Sequence, residues 1–175
     1  MSAPPAKFDA EKADNFEDIE KQFAVKGSHN SKIFFLNSLP LTPKLAVQHM
    51  STYWAILEKV RGSSLRLTKI DNEIYEHLMK DFPELDPAAT INEDEMKSKT
   101  GKERWRNFMM KYEKTVEDYN FGTMLRTSSK SEYEQDATIF VPRMQFYAYE
   151  IARNRKGLND WIYEKEHPEA EKKAA

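Results

Sequence analysis

Residues 143–155, Arg143-Met144-Gln145-Phe146-Tyr147-Ala148-Tyr149-Glu150-Ile151-Ala152-Arg153-Asn154-Arg155, decide how this chain folds. Pro142 is tolerable in a first helical turn, and Gly157 supplies a stop, so the stretch reads as a helix from Pro142 to Lys156. Phe140, Met144, Tyr147 and Ile151 form one face, and Phe146 and Tyr149 occupy another. A helix that is apolar on most sides belongs at the centre of its domain. This one nevertheless carries Arg143, Glu150, Arg153 and Asn154. Spacing places Arg143, Tyr147, Glu150 and Asn154 on one stripe.

Upstream, the stripe Trp105, Phe108, Met109, Tyr112, Val116, Tyr119 predicts a helix that starts at Thr100, where Thr100 and Glu103 make a capping box, and ends at Gly122. Between the two helices, Gly122–Thr127 and Ala137–Val141 are short β-capable runs around a polar loop. They predict one small hairpin near 122–141, with a helix capped directly by Thr138 as the alternative. Further upstream, Ile70, Ile74, Leu78 and Phe82 line a helix that Pro83 stops. Thr42-Pro43 opens another, with Val47, Met50, Trp54 and Leu57 on one face and Gly62 at its end. Asn15 caps a first helix carrying Phe16, Ile19 and Phe23. The fold class is thus mainly α: a compact single-domain bundle of about five helices with room for one short hairpin. Residues 1–14 and 164–175 read as disordered tails flanking one domain over 15–163. Gly27 to Leu45 is an apolar-centred segment without period, an irregular insert.

The 175 residues suffice for one core, and three Trp, eight Tyr and ten Phe supply its bulk. Twenty-seven Lys plus Arg against 29 Asp plus Glu leaves no basic excess of the kind a nucleic-acid binder shows, so direct nucleic-acid binding is not expected. No Cys is present, which removes disulfides, thiolate nucleophiles and cysteine-based zinc sites. No run approaches the ~18 apolar residues of a membrane span, and residues 1–13 lack the order of a signal peptide. A soluble chain in a reducing compartment is the expectation.

Catalytic motifs are missing as well. Phosphate-binding glycine loops are absent, and only five Gly occur. No nucleophile elbow is present. His29, His49, His77 and His167 stand at no metal-ligand spacing and read as solvent-facing or partly packed. The anomaly is the charge on the 143–155 helix. Charged groups there must pair or reach a surface. One reading is a partly buried ion-pair network with Arg126 or Glu132; another is the polar rim of an apolar binding groove. Trp161 and Tyr163, just past that helix and expected to be exposed, suit contact with a partner. Arg126, Arg143, Glu150, Arg153 and Trp161 are the candidate partner-binding residues; no catalytic residue, metal or cofactor is expected.

Four ordered segments carry a family resemblance: Leu65 to Tyr75, Lys102 to Phe108, Glu117 to Arg126, and Arg143 to Arg155 continuing to Trp161. Together they resemble the small eukaryotic family named for a polysaccharide biosynthesis domain, and its fungal members in particular. The resemblance covers about residues 14–26 and 46–163. It implies a mainly helical fold and a cytosolic chaperone role, with nuclear presence as an addition. The implied client is the nascent GTPase domain of translation elongation factor 1A, shielded until it folds. The nascent polypeptide-associated complex and the ribosome are the implied docking partners, and the protein itself is expected to be a monomer. An enzyme or accessory protein of polysaccharide biosynthesis, with Arg143, Glu150 and Arg153 in a deep pocket, and a generic interaction adaptor are the alternatives. Family members run from the equivalent of Phe23 directly into that of Ala46. Excising the insert here places Phe16, Ile19, Phe23, Ala46, Met50, Trp54 and Leu57 on one continuous stripe.

Overall fold

The computed structural model describes residues 41–171. Tail 1–14, the helix expected from Asn15, the insert up to residue 40 with Phe34, Phe35 and Leu36, and residues 172–175 lie outside the described residues. The described chain is a mainly helical domain with one antiparallel hairpin. Helix α1 spans Leu41–Lys59 and a 3-10 turn Gly62–Ser64 follows. Helix α2 is Asp71–Asp81, α3 Glu93–Met96 and α4 Lys99–Met110. Strands β1 (Gly122–Arg126) and β2 (Thr138–Pro142) lead into α5 (Arg143–Arg155), α6 (Asp160–Glu166) and α7 (Pro168–Glu171). No helix among the described residues is long and apolar enough to cross a membrane.

Helix α1 lays Ala46, Val47, Met50, Tyr53 and Leu57 inward, all buried, against β1 and α6. Its start at Leu41 makes residues 41–45 helical, so the irregular segment cannot extend to Leu45. Helix α2 buries Ile74 and Leu78 completely against α5, each contributing about 1.5–3 kcal/mol by leaving water. It stops one residue before the Phe82-Pro83 pair, as a following proline requires. Strand β1 pairs with β2 in the register Gly122↔Pro142 to Arg126↔Thr138, so the hairpin forms and Thr138 lies on a strand rather than capping a helix. Helix α5 is the centre of the domain: Met144 to Phe146, Ala148 to Asn154 are buried. Gly157 then takes φ +67, a left-handed value that lets the chain leave α5 without a side-chain clash.

Two boundaries differ from the sequence expectations. The helix expected over 100–121 ends at Met110 and begins earlier, at a Ser98 cap whose side chain accepts the Gly101 N–H. Tyr112 and Val116 remain buried, but they reach the core from turns, not from a helix. The unwinding has a purpose in the backbone. The carbonyls of Tyr119 and Phe121 accept from the N–H groups of Met144 and Arg143, at 2.7 and 2.6 Å, satisfying donors at the start of α5 that no helical carbonyl can reach. The second difference is at the C-terminal side. Glu164–Glu166 belong to α6 and Pro168–Glu171 form α7, so the ordered domain extends past 163. Arg61 clasps Glu164, and Lys165 pairs with Glu132.

Candidate functional site

Glu150, midway along α5, has no exposed surface, and neither do Arg126 on β1 and Arg153 one turn further along α5. The inward turn of β1 and the central position of α5 leave these charges nowhere to go but toward one another. Glu150 Oε1 accepts from Arg153 Nη1 at 2.8 Å. Its Oε2 accepts from the Tyr53 hydroxyl and from Asn159 Nδ2, each at 2.8 Å, with Arg126 Nη2 at 3.5 Å. The two guanidinium groups are further occupied by backbone. Arg126 Nη1 donates to the carbonyls of Ser129 and Ser131, and its Nη2 donates to Asn159 Oδ1 at 2.5 Å. Arg153 donates to the carbonyls of Arg126 and Thr127. Asn154 closes the ring, giving to Tyr53 Oη and accepting from Asn159.

Electrostatics follows from this geometry. Burial alone would raise the Glu150 carboxyl. The charges of Arg126 and Arg153, with hydrogen bonds from Arg153 and Tyr53, outweigh that and hold it below the usual carboxylate range. Tyr53 is pushed well above the ordinary phenol range, first by burial and then by the adjacent Glu150 charge. Gly62 belongs to the arrangement through space: a Cβ there would stand 2.5 Å from Asn154 Oδ1 and 2.9 Å from Asn159 Cβ. Four chain segments, α1, β1, α5 and the turn carrying Asn159, therefore meet at one carboxylate, and Gly62 packs behind it. Isolating an unpaired charge at this depth would cost several kcal/mol, so each partner holds the others in place.

Above the network lies an aromatic surface. The Arg126 guanidinium sits 5.6 Å from the Trp54 ring centroid and 5.8 Å from that of Tyr133. Trp54 meets Tyr133 at 5.8 Å and Trp161 at 6.1 Å, both edge-to-face. All three rings are half-buried. Trp161 donates its indole N–H to the Ser129 carbonyl at 2.8 Å, one of the carbonyls that also receives Arg126. The rings are thus held against the charged network, each partly exposed.

The sequence candidates divide on this geometry. Arg126, Glu150 and Arg153 come together as the ion-pair network, with Arg126 rather than Glu132 as the partner. All three side chains are fully buried, so none presents a surface atom in this fold, unlike the partner-facing placement expected of them. Arg143 stands apart, two turns earlier on α5, pairing with Asp118 at 3.6 Å. The shared stripe misled here because seven residues of helix separate Arg143 from Glu150 by about 10 Å. Trp161 is half-buried, not exposed, and so is Tyr163, which lies under Arg61. Sequence reasoning missed Tyr53 and Asn159 as ligands of Glu150, missed Asn154 as the link between those two, and placed Trp54 only as core. Asn154 had been placed on the Glu150 stripe, but nothing local marks Tyr53, 97 residues away. Among the described residues, no group of three or more His, Asp or Glu is placed to hold a metal.

A family profile described as PBDC1 protein matches residues 42–164. The Protein PBDC1 homolog of Schizosaccharomyces pombe is 55% identical over 159 residues, spanning 89% of this chain and 95% of that one. The Protein PBDC1 homolog of Saccharomyces cerevisiae is 52% identical over 158 residues, at the same shares of 89% and 95%. A solution NMR structure of protein yst0336 from Saccharomyces cerevisiae superposes with a TM-score of 0.64 at 52% identity, covering 89% of this chain and 96% of that one.

Proposed function

We propose that this chain, which belongs to the PBDC1 protein family, is a dedicated folding chaperone that holds the nascent GTPase domain of translation elongation factor 1A until it folds. The family resemblance carried by Leu65 to Tyr75 and Arg143 to Trp161 supplies the client. The observation that supports recognition over chemistry is the state of the charged centre. Glu150, Arg126 and Arg153 pair with one another inside the fold, and beside them lie the partly exposed rings of Trp54, Tyr133 and Trp161. Half-buried Trp and Tyr held rigid from below are what a protein-contacting hot spot needs, since little side-chain entropy is lost on contact. In this reading the client's unfolded segments cover the rings, and the client's own folding weakens the complex by withdrawing apolar surface. The nascent polypeptide-associated complex brings the monomeric chaperone to the ribosome in the cytoplasm.

The enzyme alternative required Arg143, Glu150 and Arg153 to share a pocket. Glu150 and Arg153 are fully buried and Arg143 pairs elsewhere, so no observation favours that reading. The test is purification of this chain from translating cells, with identification of the nascent chains on the ribosomes that come with it. Enrichment of elongation factor 1A over other GTPases is expected, and equal recovery of unrelated GTPases would reject the client assignment.

A further inference from the structure

A second site lies on the other side of α5. Between the 82–92 loop, α3 and α4 opens a cleft of about 250 Å³. Its apolar lining comes from Leu85, Ile91, Met96, Trp105 and Tyr149. Trp105 and Tyr149 stack with centroids 5.6 Å apart and are 5% and 8% exposed. Neither the Trp105 indole N–H nor the Tyr149 hydroxyl hydrogen-bonds to any group among the described residues, yet neither atom is sealed from solvent. Both donors therefore stay open to solvent at the wall of the cleft. Burial pushes the Tyr149 hydroxyl up to about 12, so it stays protonated and able to donate.

The rim is acidic. Arg104 is already engaged, pairing with Glu84, donating to the Asp81 carbonyl and lying 4.3 Å over the Phe82 ring. Asp86 and Glu95 also line the cleft, are exposed, and pair with no cation among the described residues. The volume is below that of sites for drug-sized ligands or cofactors and fits a side chain with its flanking backbone. Apolar walls suit an apolar side chain, two solvent-open donors can be received by carbonyl oxygens, and two exposed carboxylates, that of Asp86 accepting only the Ala88 N–H, suit a cation. An extended peptide has free carbonyls at regular intervals and meets all three demands at once.

We propose that this cleft is a docking site for an extended segment of a partner protein. The segment seats an aliphatic side chain beside Trp105 and Tyr149, accepts their hydrogen bonds on its backbone carbonyls, and lays a following Lys or Arg against Asp86 and Glu95. The site is separate from the Trp54–Tyr133–Trp161 surface and does not depend on the client assigned above.

The chain has three tryptophans, so a ¹⁵N-labelled full chain gives three indole resonances. The probe is the peptide acetyl-Gly-Ser-Leu-Lys-Arg-Gly-amide at millimolar concentration, with acetyl-Gly-Ser-Leu-Glu-Glu-Gly-amide as the control. The basic peptide is expected to shift the Trp105 indole signal, to leave that of Trp161 in place, and to bind more weakly as salt is raised. The acidic peptide is expected to shift neither indole signal. The exposed double variant Asp86→Asn, Glu95→Gln is expected to weaken binding by about two- to fivefold for each carboxylate, the range of a solvent-facing ion pair. A Trp105 signal that does not move, moves equally with the acidic peptide, or responds identically in the double variant would overturn the proposal. So would a Trp105 shift that depends on protein concentration without peptide, which would assign the cleft to a second copy of this chain.

Discussion

Replacing Glu150 with Gln removes one charge and keeps the side chain's shape. The amide nitrogen must then stand where one of the two carboxylate oxygens stood. In the Oε1 position it faces the Arg153 Nη1–H at 2.8 Å, donor against donor. In the Oε2 position it faces Asn159 Nδ2 and the Tyr53 hydroxyl, and that hydroxyl's oxygen already receives Asn154. Either orientation orphans buried donors, and both leave Arg126 and Arg153 without their carboxylate at zero exposure. Breaking a buried pair from one side costs about 3–5 kcal/mol. For a domain of this size that is a fall in Tm of roughly 10 °C. Urea unfolding followed by circular dichroism measures it, and a wild-type slope with a lower midpoint is the expected form. A double variant with Arg153→Met should cost less than the sum of the single variants, because the second change removes a charge the first left unpaired. The pH dependence gives a second arm. The folded carboxyl sits below its usual value, so its contribution is complete above the unfolded range near 4.5 and is lost as pH falls through the folded value. Glu150→Gln should flatten that acid limb. A variant within about 0.5 kcal/mol of wild type, the range of an ordinary surface change, would refute the network's role.

Three further outcomes follow from named contacts. His49, against Phe146 and Thr123, is lowered to about 4 by burial and then by Arg143, so its neutral form belongs to the fold. The unfolded chain takes up that proton near pH 6.5, so stability should fall as pH drops from 6.5 toward 4, and His49→Gln should remove this component from pH-dependent urea titrations. Gly62→Ala drives a methyl into Asn154 and Asn159, and thermal unfolding should report a loss of about 1–3 kcal/mol. Trp161→Phe removes the indole donor and part of the ring packed against Trp54; the Ser129 carbonyl keeps its bond from Arg126, and chemical unfolding should show a loss of about 1–2 kcal/mol.

Periodicity found the elements whose burial comes from regular structure. The Ile74, Leu78, Phe82 stripe, the hairpin around 128–136 and the central helix all stand where the residues place them. It failed where burial and helix part company. Tyr112 and Val116 continue the apolar spacing of α4 after the helix has ended, because turns can also deliver side chains to a core. The charged anomaly on α5 is legible as a pairing demand with Arg126 or Glu132 as the partner, and the fold brings Arg126 to Glu150. The remaining ligands are not legible, since Tyr53 and Asn159 carry no local mark of what they will meet. Exposure was the least legible property: Trp161 lies past the end of α5 and looks free in sequence, yet Ser129 draws it halfway into the fold.

In the proposed function, the rings beside the Glu150 network touch the client. A photocrosslinking residue placed at Tyr133, beside Trp54, tests it during translation. The same residue placed at Met110, an exposed apolar position on α4, serves as the reference. The account predicts crosslinks from position 133 to the nascent GTPase domain of elongation factor 1A, fading once that domain has folded, and few from position 110. Equal crosslinking from both positions, or none from 133 while the client still copurifies, would contradict it.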